Sequence, residues 1–212
     1  MNIDGDFNYL GDMPIESITS LQTILPEIDW LANTMRQELF NVHQYTNTVV
    51  ITEIANASMW NGIDPWILHI IDQNLYEIVY PIIKELENRF NSKIARSMLI
   101  LLPAGKKIPT HPDSGHYLMS THRCHLPIQT NPDVMFTVGK TTINMKVGQG
   151  YEINNSFWHS VDNNGTTDRV HLLADLLPND YEYDEARGTL HPRTWMRPKD
   201  QWLAQYAAKA SK

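Results

Sequence analysis

The sequence predicts a mainly β protein with flanking helices: a jelly-roll core at 94–177, a mainly helical part at 1–93 and an extension at 178–212, together one domain. Three observations carry this. From Ile94 onward the short apolar runs SMLILL, VMFTV, INMKV and VHLLADLL are separated by Gly, Pro, Asn and Asp at intervals of about 8–12 residues, the rhythm of strands and turns in a β-sandwich or barrel. Before Ile94, apolar residues recur mostly at helical spacing. The chain has 212 residues, of which 42% are hydrophobic and 19% charged, enough for one ordinary core and far from the composition of a disordered chain.

In chain order, PEIDWLANTMRQELF at 26–40 sets Ile28, Leu31, Met35 and Leu39 on one face of an expected helix. TNTVVIT at 46–52 is β-branched and reads as a strand. Asp64-Pro65 has the form of an N-cap followed by Pro at the first helical position, opening a helix to about Phe90 that Pro81 is expected to kink or divide. Residues 94–176 have room for the eight strands of a jelly roll, with Met98, Met119, Met135 and Met145 at core strand positions. After Asn179 the chain is polar and punctuated by proline, and DQWLAQYAAKA reads as a short closing helix. Trp60, Trp66, Trp195 and Trp202 are assigned to packing.

Charge and cysteine content exclude several functions. The formal net charge is −7 and no window gathers enough Lys and Arg to neutralise a row of phosphates, so neither nucleic acid nor an anionic membrane is an expected partner. No run of 18 apolar residues occurs, and the N-terminal segment lacks the form of a secretion signal, so a cytoplasmic location is expected. Cys124 is the only cysteine, which rules out an internal disulfide and a cysteine-rich zinc site and fits a reducing compartment. A small hydrophobe's role in the core suits it better than a nucleophile's.

The chemistry concentrates between residues 111 and 169. In an extended segment His111 and Asp113 point the same way, and His159 follows 46 residues after Asp113, where a later strand of a small barrel returns beside the first. Two imidazoles and one carboxylate leave about three of six octahedral positions open, the arrangement used by non-haem iron oxygenases. Arg169, ten residues after His159, lies inside the apolar strand RVHLL. A guanidinium there requires an anion, either a substrate carboxylate or an acidic residue of the fold. Arg123 and His125 alternate onto one face of RCHLP and either enter the pocket or form a surface pair. His116, Tyr117, His122 and Trp158 are further candidates for the rim. The first ninety residues offer no catalytic constellation.

LLPAGKKIPTHPD, THRCHLPIQT, VGQGYEINNSFWHSVDNNG and DRVHLLADLL, in this order over residues 101–177, resemble the aspartyl/asparaginyl β-hydroxylase family of iron(II)- and 2-oxoglutarate-dependent oxygenases, a group related to bacterial free-proline hydroxylases. The resemblance implies a double-stranded β-helix of the cupin-like jelly-roll type. It also implies iron(II) held by His111, Asp113 and His159, 2-oxoglutarate received by Arg169, and further co-substrate or substrate contacts from Arg123 and His125. The implied reaction uses O2, hydroxylates an amino acid, free or in a peptide, and releases succinate and CO2. Gln149 departs from the family, which commonly has Glu after the glycine, and takes no catalytic role. Asp113 is present where some animal members lack the carboxylate. A cupin-type metal enzyme that does not use 2-oxoglutarate and a non-catalytic jelly roll that binds 2-oxoglutarate or an amino acid remain as alternatives.

Overall fold

In the computed structural model, which describes residues 3–32, 34–55, 67–113, 118 and 120–179, two antiparallel sheets face each other and helices cover the larger one. Strand β1 (Phe7–Asp12) and helix α1 (Ile15–Ile24) come first, then the short helix α2 (Met35–Leu39) and strands β2 (Asn47–Ala55) and β3 (Ile67–Ile70). Helix α3 (Gln73–Phe90) leads into β4 (Ser92–Leu102), β5 (Lys107–His111), β6 (His122–Gln129) and β7 (Val134–Val138). The strands β8 (Thr141–Ile143), β9 (Gln149–Ile153), β10 (His159–Asn163) and β11 (Arg169–Pro178) complete the order.

The large sheet runs β1-β9-β6-β11-β4-β2-β3 and the small one β5-β10-β7-β8. The eight strands from β4 to β11 divide four and four between them, which is the expected jelly roll. The N-terminal part, expected to be mainly helical, also supplies β1 to one edge of the large sheet and β2 and β3 to the other.

Both faces of the large sheet are covered, so its central strands are apolar almost throughout. On β4, Leu99 and Leu101 join the layer under the helices, whereas Met98, Ile100 and Leu102 belong to clusters between the sheets. On β11 the outward set is Val170, Leu172, Ala174 and Leu176. The inward set, by alternation, is Arg169, His171, Leu173 and Asp175. Polar groups have thus been placed on the interior side of a strand whose other side is pure core.

Three local expectations are corrected. Residues 26–40 are not one helix: Leu25–Glu27 form a 3-10 turn, only Met35–Leu39 are α-helical, and Leu31 is 69% exposed. Asp29 Oδ1 accepts from the Leu31 N–H at 3.0 Å, a turn that competes with helix, and the amphipathic helix lies earlier, with Ile18 and Leu21 buried on α1. Residues 67–70 are strand β3, paired with β2, and α3 starts later, capped by Asp72 Oδ1 on the Leu75 N–H at 3.0 Å. A run as short as Ile67-Leu68-His69-Ile70 fits either period, and an open strand edge decides here. Finally, α3 is not divided at Pro81, running as one helix through it. Proline in a helix interior costs about 3 kcal/mol, but Leu75, Val79, Ile82, Ile83 and Leu86 are buried beneath it at roughly 1.5–3 kcal/mol each.

Met98 and Met145 are core as expected, whereas Met135 is 38% exposed because alternation on β7 turns Phe136 inward instead. Met119, Asp64-Pro65, the four tryptophans assigned to packing and the closing helix lie outside the described residues.

Candidate active site

His111 ends β5 and His159 begins β10, and the two are register partners across the small sheet, with ring centroids 4.4 Å apart. The register shifts between His159 and Val161, a bulge of the kind that re-aims side chains beside a site. Asp113 follows β5, its N–H donating to the Asn155 carbonyl at 3.0 Å, while Asn155 Nδ2 donates to the Leu118 carbonyl at 2.7 Å. One ligand atom from each of His111, Asp113 and His159 lies within 4.8 Å of the others. The sequence placed these three residues together, and the fold brings them together.

The tautomers are set by the backbone. His111 Nδ1 donates to the Pro109 carbonyl at 2.7 Å and His159 Nδ1 to the Phe157 carbonyl at 2.9 Å, each two residues earlier in the chain. Both Nε2 lone pairs are left for a metal, the form in which imidazole ligates. Burial lowers the pKa of His159 despite the neighbouring Asp113 carboxylate. Two imidazoles and a carboxylate suit iron(II) in an open octahedral site.

The same cavity takes in Arg169, Arg123 and His125 and is closed by Ile100, Phe136 and Leu173. Arg169 is fully buried, and burial alone pushes its pKa down to about 9. Its Nη2 donates to His171 Nδ1 at 2.7 Å and its guanidinium carbon lies 5.7 Å from the Phe136 ring centre. Among the described residues no carboxylate pairs with it. Because Arg can only donate, His171 accepts at Nδ1 and carries its proton on Nε2. Arg169 Nε, His171 Nε2 and His125 Nδ1 are buried without a hydrogen-bond partner. Buried orphan groups of this kind require a ligand or water, and the two donors among them, Arg169 Nε and His171 Nε2, fit the carboxylate end of an organic acid. Burial and the nearby Arg169 hold His125 and His171 far below the usual histidine range, hence neutral.

Arg123 enters the pocket but is committed to carboxylates: Nε and Nη2 donate to Asp175 at 2.8 and 2.9 Å, and Nη1 donates to Asp113. His122 does not reach the rim. It faces the helical side, stacked on Phe90 and paired with Glu152 Oε1 at 2.6 Å, because alternation opposes it to Arg123. Trp158 is 63% exposed beside His159, and His116 and Tyr117 lie outside the described residues. Cys124 is buried, its thiol pushed up by that burial, as expected of a core residue.

Four groups were missed. His171 and Asp175 share the parity of Arg169 along β11, so strand alternation alone would have found them. Arg36 and His43 carry no such signal. Arg36 lines the cavity, donating to His43 Nε2 at 2.9 Å, and the His43 ring meets His111 edge-on at 5.7 Å. Burial, then repulsion by Arg96 and Arg123, brings the Arg36 pKa down to about 9.

The eight strands from β4 to β11, divided between two facing sheets around such a cluster, define the double-stranded β-helix as the class. The sequence model of the aspartyl/asparaginyl beta-hydroxylase family matches residues 71–178, and the chain belongs to that family. The family is one of hydroxylases, so the chain is an enzyme of that kind. No curated protein sequence matches the chain. Among solved structures it is similar to a viral collagen prolyl hydroxylase from Paramecium Bursaria Chlorella virus-1 in complex with 2-oxoglutarate, at 7% identity and TM-score 0.54, covering 82% of this chain and 97% of that one. It is also similar to HygX from Streptomyces hygroscopicus, a structure with nickel, 2-oxoglutarate and hygromycin B bound, at 9% identity and TM-score 0.52, covering 83% and 84%. These likenesses establish the jelly-roll fold.

Proposed function

We propose that the protein hydroxylates a C–H bond of an amino acid, free or in a peptide, with iron(II) held by His111, Asp113 and His159. The metal with 2-oxoglutarate and O2 supplies the oxidant, and succinate and CO2 are released. Arg169 receives the distal carboxylate of 2-oxoglutarate, oriented by His171, with His125 on the adjacent wall. Arg123 acts on the metal ligand Asp113 as well as facing the pocket. Burial of Ile100, Phe136 and Leu173 around these groups excludes water and strengthens each charge interaction. Arg36, on the cavity wall, favours a substrate that carries a carboxylate of its own. The buried Cys124 and an iron(II) site suit the reducing, cytoplasmic location expected from the sequence.

The observation that carries this reading is Arg169: a buried guanidinium in the metal-bearing cavity, with no carboxylate of the described fold beside it, calls for an acid from outside. A cupin-type enzyme without 2-oxoglutarate has no use for it. The test is incubation with iron(II), ascorbate and 2-oxoglutarate against free amino acids, their amides and Asp-, Asn- and Pro-containing peptides, following succinate and a gain of one oxygen by mass. Turnover is expected with a carboxylate-bearing substrate and its loss in Asp113→Ala and His159→Ala. Normal succinate formation by either variant overturns the ligand assignment.

A further inference from the structure

Four strands of the large sheet place one charged residue each in a single row. Glu53 on β2 pairs in register with Arg96 on β4, Arg96 with Asp175 on β11, and Asp175 with Arg123 on β6. Acidic and basic side chains alternate along the row. Asp175 has no solvent exposure; Arg96 donates to its Oδ2, and Arg123 grips both of its oxygens at 2.8 and 2.9 Å. The remaining Arg123 nitrogen, Nη1, donates to Asp113 Oδ2.

We infer that this row is a positioning device for the metal ligand: Asp175, locked by Arg96, fixes the Arg123 guanidinium, which in turn holds Asp113 Oδ2, the oxygen 3.8 Å from His159 Nε2, in place at the site. The inference rests on the reading of His111, Asp113 and His159 as ligands. The reasons are geometric. Asp113 lies just past the end of β5, where its N–H donates to the Asn155 carbonyl but no strand pairing fixes the direction of its side chain. A planar guanidinium fork held at three points cannot swing away, which a lysine at that position could not reproduce. Two cations for one buried Asp175 also leave a donor over for Asp113, so the row transmits its order to the site at its end. Nothing in it touches the reacting atoms other than through Asp113 and Arg123.

The test measures metal affinity apart from turnover. Cobalt(II) is titrated by calorimetry and by its visible absorption into the metal-free full-length protein and into His159→Ala, Asp175→Asn and Arg123→Lys, with circular dichroism and melting of each metal-free protein. The wild type is expected to bind one cobalt ion, and His159→Ala to lose it. Asp175→Asn and Arg123→Lys are expected to bind about 10–100-fold more weakly, as the loss of outer-sphere partners does elsewhere, with an altered cobalt spectrum in the folded protein. Arg123→Lys keeps the buried charge, so it remains informative if Asp175→Asn does not fold. Wild-type affinity and spectrum in either folded variant would overturn the positioning role while leaving the ligands standing. Cobalt binding unaffected in His159→Ala would instead remove the ligand assignment and the positioning role with it.

Discussion

A guanidinium buried without a counter-ion costs folding free energy, because desolvation is not repaid by a partner. Arg169 is in that position in the described protein, and its lowered pKa reports the same penalty. The residue therefore has opposite effects on stability and on binding. Arg169→Met is expected to leave the melting temperature of the metal-free protein unchanged or raised. It should raise the 2-oxoglutarate requirement about 10–100-fold, since a charge-assisted hydrogen bond to a carboxylate is worth roughly 1.5–3 kcal/mol. Melting curves and 2-oxoglutarate titrations measure the two effects separately, and a variant that melts lower while binding 2-oxoglutarate normally would make Arg169 a structural residue.

At the scale of the element, α3 is where local preference and tertiary packing disagree. Pro81 sits mid-helix on the exposed face and removes one backbone hydrogen bond, while the five buried side chains opposite hold the helix to the sheet. Pro81→Ala restores the bond at a position that touches no core. The gain of up to about 3 kcal/mol in helix preference is partly offset by about 1 kcal/mol from a looser unfolded chain. A net stabilisation of about 1–2 kcal/mol is expected in denaturant unfolding, with catalysis unchanged. A destabilised Pro81→Ala would mean that the ring itself has a packing role.

Over the whole molecule, the row of ionisable groups across the large sheet makes stability depend on pH at both ends of the pH range. Burial pushes the Glu53 carboxyl up to about 8 despite the pull of Arg96, so the folded protein holds this proton more tightly than the unfolded chain. That contribution is fully present below the unfolded value near 4.5 and is withdrawn as pH rises toward 8. Asp175 behaves in the opposite sense: burial opposes its charge, but Arg123 and Arg96 hold it down to about 2, so its contribution is present above the ordinary carboxylate range and is lost as pH falls toward 2. Thermal melts of the metal-free protein should decline between pH 5 and pH 8, and Glu53→Gln should flatten that decline. An unchanged slope in the variant would assign the dependence to other groups.

The period of the apolar runs determined the eight-stranded core, because a strand buried on both faces writes itself as unbroken hydrophobicity and its turns as Gly, Pro, Asn and Asp. The same text located His111, Asp113, His159 and Arg169, since metal chemistry restricts residue types and a charge inside an apolar strand demands a reason. Tertiary structure alone decided that Ile67–Ile70 joins an open sheet edge instead of α3, that Arg123 serves Asp113 and Asp175, and that Arg36 and His43 close the cavity from the N-terminal side. Those facts depend on which strands become neighbours, and pairing between distant segments leaves no periodic trace in the sequence of either one.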